Sequence, residues 1–486
     1  MKISEIISRE EYIYSEIEDN CEFDGIKTDI SKCTKEDLLI IPNSEKMPDF
    51  NKATEPPLAV ICDAKAILPD NIPVICVDNP RRAMANAYFR FEKISAENIK
   101  IIGVTGTNGK TTTATLIKTV LSDLGHKVGF IGTGKIEICG RVISEDNYSM
   151  TTPDPPLLYR SIKDMELKRC DVIVMEVSSH SLALDKLFPL HFEYGIFTNL
   201  SPEHIDFHGD MDSYFESKNK LFEKCNRGIF NIDDKYAEKS YSDFSGKKIS
   251  VGIIKDADVW ARNVNNNGFE GINYTYHQKN FSFKTNLKLS GIYNTYNSML
   301  AIATCIDMGC KPCDVKKSIN KISSIPGRYE IINDKISVII DYAHTGEAFA
   351  CILRDISAFK RSGNLTVVFG CGGDRDKGKR PIMAKIAERY ADRIILTADN
   401  SRTENTKDII SDIIRGFDRG NYEIKEKREE AILSAILSAK DGDTVAIIGK
   451  GPEKYNIDKN GYHHFDEREI IMSALKKREG RTWVCE

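Results

Sequence analysis

At 486 residues the chain exceeds what a single hydrophobic core supports, and the usual domain size divides it into about three. Its 41% hydrophobic and 29% charged content is that of a soluble globular protein, and a net charge of -4 gives no basic footprint for nucleic acid. No apolar run approaches the ~20 residues of a membrane helix, and acids interrupt the first twenty residues, which argues against a signal peptide; the expectation is a cytoplasmic protein with no membrane partner.

Residues 1–97 read as a small α/β domain. The apolar runs Leu38–Ile41, Leu58–Cys62 and Val74–Val77 alternate with polar, helical-looking stretches. Asp78-Asn79-Pro80 starts a helix, with proline just inside a polar cap.

Residues 98–325 read as a second domain, built on a parallel sheet. Ile101-Ile102 leads into GVTGTNGKTTT, Gly103–Thr113, and a helical segment follows from Ala114. Strand, glycine loop and helix in that order turn backbone N–H groups and a helix N-terminus toward a phosphate. Gly106 and Gly109 let the backbone approach the anion, Lys110 reaches the outer phosphates, and the Thr111 hydroxyl can ligate magnesium. Val104 stands where the strict G-x-x-x-x-G-K-[ST] pattern has its first glycine.

Next come a strand with a tight turn, Val128–Gly134, and Ser149–Pro156, read as an exposed turn opening a helix. Asp171–His180 is a buried strand that ends in polar residues, which puts Glu176, Ser178 and His180 at the carboxyl end of a parallel sheet, where ligands bind. Tyr194–Leu200 ends the same way. It is followed by Ser201–Asp210 and by a helix from about Met211 to Cys225 carrying Lys218 and Lys220. Glutamate, histidine and threonine donors suit a hard or borderline cation. Glu176, His204 and His208 taken singly are a strand-end acid and loop histidines; placed together beside a phosphate loop they point to a metal–nucleotide site. Residues 228–288 read as strands, followed by a helix through Met299–Met308. Asn294 and Asn297 are read as caps of that helix, with a base contact as the alternative.

Thirteen cysteines lie scattered without a disulfide-like framework, the pattern of reduced thiols. Cys305, Cys310 and Cys313 have the spacing of a plant-type iron–sulfur site. No fourth ligand has a recognisable context, so Cys305 is read as a small core residue.

Residues 326–486 alternate strands with helices: Val338–Asp341, Leu365–Gly370, Ile394–Thr397 and Thr444–Gly449 are each followed by a polar, motif-like loop. That is a doubly wound sheet with one binding edge. Asp374–Arg380 carries four cations and two acids, and its flanking glycines favour an anion site over a solvated charge run.

The segments TGTNGKTTT, EVSSHSL, FTNLSPEHIDFHGDMDSYFESKNKLF, PGRYE, DYAHT, FGCGGDRDKGKRPIM, DNSRTE and GKGPEKY, in order over roughly residues 100–475, resemble the Mur ligases of the MurE type. The resemblance implies an N-terminal domain for the UDP end of the acceptor, a central P-loop ATPase domain and a C-terminal Rossmann-like domain for the incoming amino acid. It also implies ATP and Mg2+ as cofactors and a monomer. ATP contacts would be Gly106, Thr107, Asn108, Gly109, Lys110, Thr111, Thr112, Asn294, Arg328, Asp341 and His344. Magnesium would be held by Thr111, Glu176, His204 and a carbamylated Lys218, with Lys110, His204 and Lys218 as the catalytic group. Thr151, Thr152, Ser178 and Lys186 match contacts to the UDP-sugar peptide.

The implied reaction adds the third amino acid to UDP-N-acetylmuramoyl-L-alanyl-D-glutamate through an acyl phosphate, giving ADP and phosphate, in peptidoglycan synthesis. In the family an arginine in D-N-P-R accompanies meso-diaminopimelate. Here the loop is Asp399-Asn400-Ser401-Arg402, and Arg375, Gly449 and Glu453 also fall at diaminopimelate positions. A guanidinium for the distal carboxylate and a carboxylate for the distal ammonium suit that zwitterion; lysine would leave Arg402 unpaired. Three departures stand out. The family's D-S-R near the N-terminus is Asp29-Ile30-Ser31, a glutamine and an arginine after the S-S-H motif are Leu184 and Lys186, and the histidine of G-K-G-H-E is Pro452. The alternatives are a paralogue that uses lysine or another amino acid or acceptor, and a nucleotide-binding regulator without turnover.

Overall fold

Buried runs of β-branched and leucine residues set the first sheet. In the computed structural model, which describes residues 1–95, 99–144, 150–360, 363–478 and 480, the strands Gly25–Lys27, Asp37–Ile40, Ala59–Cys62 and Val74–Cys76 lie side by side and parallel. Tyr14–Ser15 pairs antiparallel on the outer edge. The strand residues Asp37–Ile40 and Ala59–Cys62 are buried throughout, as parallel strands require. Asn79 caps the helix Pro80–Phe91 by accepting the Arg82 N–H at 3.1 Å, with Pro80 in the first turn, as the sequence leads one to expect.

The chain divides into two compact units. The first is Met1–Thr105 with His126–Gly195 and Glu216–Arg227; the second is Gly106–Gly125 with Ile196–Phe215 and Gly228–Glu486. The expected domain boundary at 97/98 and the start of the turn at Ser149 lie outside the described residues.

Within the first unit, Val172–Glu176 lies between Lys100–Thr105 and Val128–Gly132, parallel to both, with Glu176 opposite Val104. Lys135–Ile138 and Arg141–Ser144 extend the sheet antiparallel. The turn before the helix Pro155–Leu167 is exposed only in part: Met150 and Asp154 face solvent, whereas Thr152 is 2% accessible and Pro153 is buried. The Thr152 hydroxyl donates to the Glu176 carbonyl at 2.9 Å and accepts the Ser178 N–H at 3.1 Å, and those bonds draw the turn inward.

In the second unit the helix Lys110–Asp123 packs on the helix Tyr293–Asp307, whose residues Asn294, Thr295 and Asn297–Cys305 are all buried. Cys305 is a core residue of that helix, as expected. Asn294 and Asn297 are not its caps: Ile292 holds that position, and Asn294 already lies within the helix, donating to the Ser290 carbonyl at 2.6 Å. The stretch 228–288 includes a helix unmarked by any apolar period, Lys235–Asp243, capped by the Asp234 carboxylate on the N–H groups of Tyr236 and Ala237. Helix Met211–Asn219 is shorter than expected, since Phe222–Lys224 is a separate 3-10 turn and Cys225 begins a strand.

The C-terminal sheet has the order Glu330–Asn333, Ser337–Asp341, Thr444–Ile448, Leu365–Phe369, Arg393–Leu396, Tyr422–Ile424. All neighbours pair parallel except the first two. Helices Gly346–Phe359, Lys379–Tyr390 and Thr406–Ile414 fill one face, and Arg428–Ser438 with Glu467–Arg478 the other, the doubly wound arrangement expected. Among the described residues no helix is long and apolar enough to cross a membrane.

Candidate active site

The phosphate loop is shaped by two glycines and held from the side by a neighbouring strand end. Gly106 has φ +143° and Gly109 φ +85°, the left-handed region that glycine tolerates. A Cβ on Gly106 would overlap Thr198 Oγ1, and one on Gly109 would overlap Asn297 Oδ1. Thr198 Oγ1 donates to the Asn108 carbonyl at 2.6 Å, Thr107 N–H donates to the Asn199 carbonyl at 2.8 Å, and Asn108 N–H to Asn199 Oδ1 at 3.0 Å. The Thr107 hydroxyl is tied to Ser201 and Tyr214, and Thr112 is 6% exposed. Lys110 Nζ bends back onto the carbonyls of Gly106 (2.9 Å) and Thr107 (2.8 Å), so the ammonium sits over the loop.

Arg328 donates through Nη2 to Thr111 Oγ1 at 2.8 Å and lies over the Tyr342 ring at 4.3 Å, while its buried Nε has no hydrogen-bond partner among the described residues. A buried donor of this kind beside a glycine loop can serve an acceptor. Asn294 Oδ1 accepts from Asn297 Nδ2 at 2.8 Å, which orders both amides beside Gly109. Asp341 accepts the N–H groups of Tyr329 and Ala343, both at 2.7 Å; burial nonetheless raises its carboxyl above the usual range, against Arg328 and these donors.

Sequence reasoning passed over Glu203. Its Oε1 meets His344 Nε2 at 3.0 Å and His204 Nε2 at 3.7 Å. Burial alone would raise the Glu203 carboxyl, but the His344 hydrogen bond and the charges of His344, His204 and Lys110 hold it well below the usual carboxylate range. His344 Nδ1 faces the Tyr342 carbonyl at 2.8 Å, so both ring nitrogens face acceptors. His204 itself has φ +57°, an uncommon backbone state for a non-glycine residue, and precedes the short helix Ile205–His208.

In the first unit, Glu176 is fully buried at its strand end and accepts from Thr133 N–H (2.9 Å) and Thr133 Oγ1 (3.2 Å). Thr133 also bonds Thr151 at 3.3 Å, and Thr152 with Ser178 completes the strand-end cluster, so these expected residues do come together. Ser178 also caps the helix Ser179–Ala183. Lys186 pairs with Asp154 at 2.6 Å. Lys218 is 1% exposed. Asp29 caps the turn Ile30–Lys32 by accepting the Ser31 N–H at 3.1 Å, and Ile30 is buried.

The C-terminal loops form the second cluster. Arg402 has φ +52° and gives Nη1 to the carbonyls of Gly373 (2.8 Å) and Asn400 (3.2 Å). Arg375 is exposed and makes no hydrogen bond or ion pair among the described residues; partial desolvation of its guanidinium, then the adjacent Arg402 cation, pushes it below its ordinary value. Two cations held together with one unpartnered are a standing offer to an anion. The rest of the charged loop is already satisfied, which narrows the expected anion site. Arg380 is 0% exposed and bonds Glu404, Asp412 and the Gly372 carbonyl, and Lys377 pairs with Glu404 at 3.3 Å. Asn400 Nδ2 donates to Glu453 Oε2 at 2.8 Å, Gly449 N–H to the Asp341 carbonyl at 2.9 Å, and the Ser401 carbonyl accepts the Glu404 N–H. Burial would raise Asp399, but Lys450 and Arg428 hold its carboxyl low.

Comparison with known proteins gives a consistent picture. Residues 104–305 match the family described as Mur ligase middle domain, and residues 327–451 the one described as Mur ligase, glutamate ligase domain. The chain is 38% identical to UDP-N-acetylmuramoyl-L-alanyl-D-glutamate–2,6-diaminopimelate ligase 1 of Clostridium acetobutylicum, over 98% of this chain and 100% of the relative. It is 37% identical to the correspondingly named ligase of Clostridium tetani, over 98% and 100%. A solved structure of a ligase of that name superposes with TM-score 0.67 at 27% identity, covering 99% of both chains.

Proposed function

Because the chain belongs to the Mur ligase family and is an ATP-dependent ligase that forms amide bonds, we propose that it joins meso-diaminopimelate to the D-glutamyl γ-carboxyl of UDP-N-acetylmuramoyl-L-alanyl-D-glutamate in peptidoglycan synthesis. One observation carries the choice of amino acid: the unpartnered Arg375 beside Arg402, within a loop set that also holds Glu453 and Asn400. A zwitterionic side-chain end matches both signs of charge.

In this reading the γ-carboxylate oxygen attacks the γ-phosphorus of ATP, ADP departs, and the amine of the amino acid attacks the resulting acyl phosphate and expels phosphate. Lys110 exchanges the carbonyls of Gly106 and Thr107 for phosphoryl oxygens and screens the charge that develops there. Arg328 offers its orphan Nε to the nucleotide, and Asn294, Asp341 and His344 complete its surroundings. Thr151, Thr152, Ser178 and Lys186 serve the acceptor. Thr111 and His204 in the second unit, and Glu176 and a carbamylated Lys218 in the first, are oxygen and nitrogen donors of the kind Mg2+ takes and would hold it; among the described residues no group of three or more acidic, histidine or cysteine side chains forms a metal cage. Magnesium, when bound, neutralises phosphate charge. The division at 97/98 and 325/326 separates acceptor, nucleotide and amino-acid domains.

Phosphate release measured across a panel of acceptors and amino acids tests the proposal. Release that requires both UDP-MurNAc-dipeptide and diaminopimelate, with lysine far weaker, is expected. Release with another pair and none with this one overturns it.

A further inference from the structure

Lys450 is 0% exposed and sits between the rings of Tyr455 and Phe465, 5.8 Å from each centroid. An ammonium so deep needs acceptors. It donates to Asn400 Oδ1 at 2.8 Å and stands 3.4 Å from Glu453 Oε2 and 4.0 Å from Asp399 Oδ1. The Ile457 N–H donates to the same Asn400 Oδ1 at 3.0 Å. Two donors on that oxygen fix which way the amide lies, and Nδ2 must then point to Glu453 Oε2, which it reaches at 2.8 Å. Oε2 is thereby taken from both sides. Oε1 accepts the long 3.4 Å bond from the Tyr342 hydroxyl, and the Tyr455 hydroxyl also bonds the carboxylate; a carboxylate oxygen with such weak donors keeps lone-pair capacity for an outside cation.

We propose that Lys450 is a positioning residue: through the Asn400 amide it orients Glu453 so that one carboxylate oxygen is presented to the ammonium of the incoming amino acid. This rests on the reading of the C-terminal loops as the amino-acid site. Lys450 touches no substrate in this scheme. Its own contact to Oε2 keeps the substrate ammonium on the other oxygen.

The test uses the full-length enzyme with diaminopimelate, ATP and UDP-MurNAc-dipeptide. Lys450→Met, which fills the space between the Tyr455 and Phe465 rings without charge, is expected to raise the KM for diaminopimelate roughly tenfold or more, the scale of a lost charge-assisted hydrogen bond, with the ATP KM unchanged. In a Glu453→Gln background the same substitution is expected to add little, because both changes act on one carboxylate. Additive effects, or a KM rise for ATP equal to that for diaminopimelate, overturn the proposal. Where Lys450→Met does not fold, Lys450→Arg keeps the buried cation; its broader head displaces Asn400, and an unchanged diaminopimelate KM in that variant overturns the proposal as well. Wild-type enzyme that turns over some other amino acid in preference refutes the functional reading instead, so the two failures are separable.

Discussion

Replacing Arg402 by methionine tests the identity of the third residue. Nη1 of Arg402 is committed to the carbonyls of Gly373 and Asn400, which sets the plane of the guanidinium and leaves Nη2 and Nε for an outside carboxylate. Losing that charge-assisted contact costs about 1.5–3 kcal/mol. At about 1.4 kcal/mol per decade, kcat/KM for meso-diaminopimelate falls roughly 10- to 150-fold. L-Lysine has no distal carboxylate, so its kcat/KM holds level or rises, because Arg375 loses a like-charged neighbour. Arg402→Lys is the control for loop structure: it keeps a donor for the Gly373 carbonyl but not the planar fork, and most of the diaminopimelate preference should still go. A coupled assay of ADP formation, run with each amino acid at saturating ATP and acceptor, reads both constants. An unchanged preference in both variants refutes the assignment of the distal carboxylate to Arg402.

Gly106→Ala forces Thr198 off the Asn108 carbonyl at a φ of +143°, and strain plus the lost bond come to about 2–4 kcal/mol, so the ATP KM rises at least ~30-fold; an unchanged KM shows the cradle is not the nucleotide site. Lys218→Ala is expected to lose at least about tenfold in activity and to regain part of it with added formate or acetate, which replace the carbamate oxygens; full activity without rescue removes Lys218 from the metal site. Glu404 should govern acid stability. Its hydrogen bond to Arg380 lowers the carboxyl from 4.5 to about 2. The unfolded state therefore takes up the proton first as pH falls, and the stabilisation, complete above the unfolded value, is lost between about pH 4.5 and about 2. The Tm gap between the parent and Glu404→Gln should be widest near neutrality and close through that window; a gap independent of pH contradicts the assignment.

The apolar runs and glycine–lysine spacing made the parallel strands, the doubly wound C-terminal sheet and the glycine loop legible, because a parallel strand buried on both faces must read as a continuous apolar run. The helix Lys235–Asp243 escaped because it buries only Ala237 and Ser240 and is started by the Asp234 cap rather than by an apolar period. The turn at Thr152 was read as solvent-facing because proline after threonines resembles a surface turn, whereas two hydroxyl bonds to the Glu176–Ser178 backbone pull it inside.

The harder failure concerns charge. Arg380, Arg428 and Lys450 each lie in stretches rich in charged residues, and composition treats all such residues alike as surface. All three are buried, and each is spent on a backbone carbonyl or a side chain at a loop that bears a candidate site residue. Arg428 gives Nη1 to the Ala398 carbonyl and Nη2 to the Ile448 carbonyl, just ahead of Asp399 and Gly449, while Nε holds Glu467. Arg380 binds the Gly372 carbonyl beside Arg375, and Lys450 holds Asn400. The expense of burying a cation is offset only where the acceptors are fixed, so these residues lock in place the loops from which Arg375, Arg402 and Glu453 project. The charges of the motif loops thus divide into a buried set that fixes geometry and a smaller set, Arg402 and Glu453 with bonding capacity to spare and Arg375 without a partner among the described residues. That remainder is what a charged ligand can use.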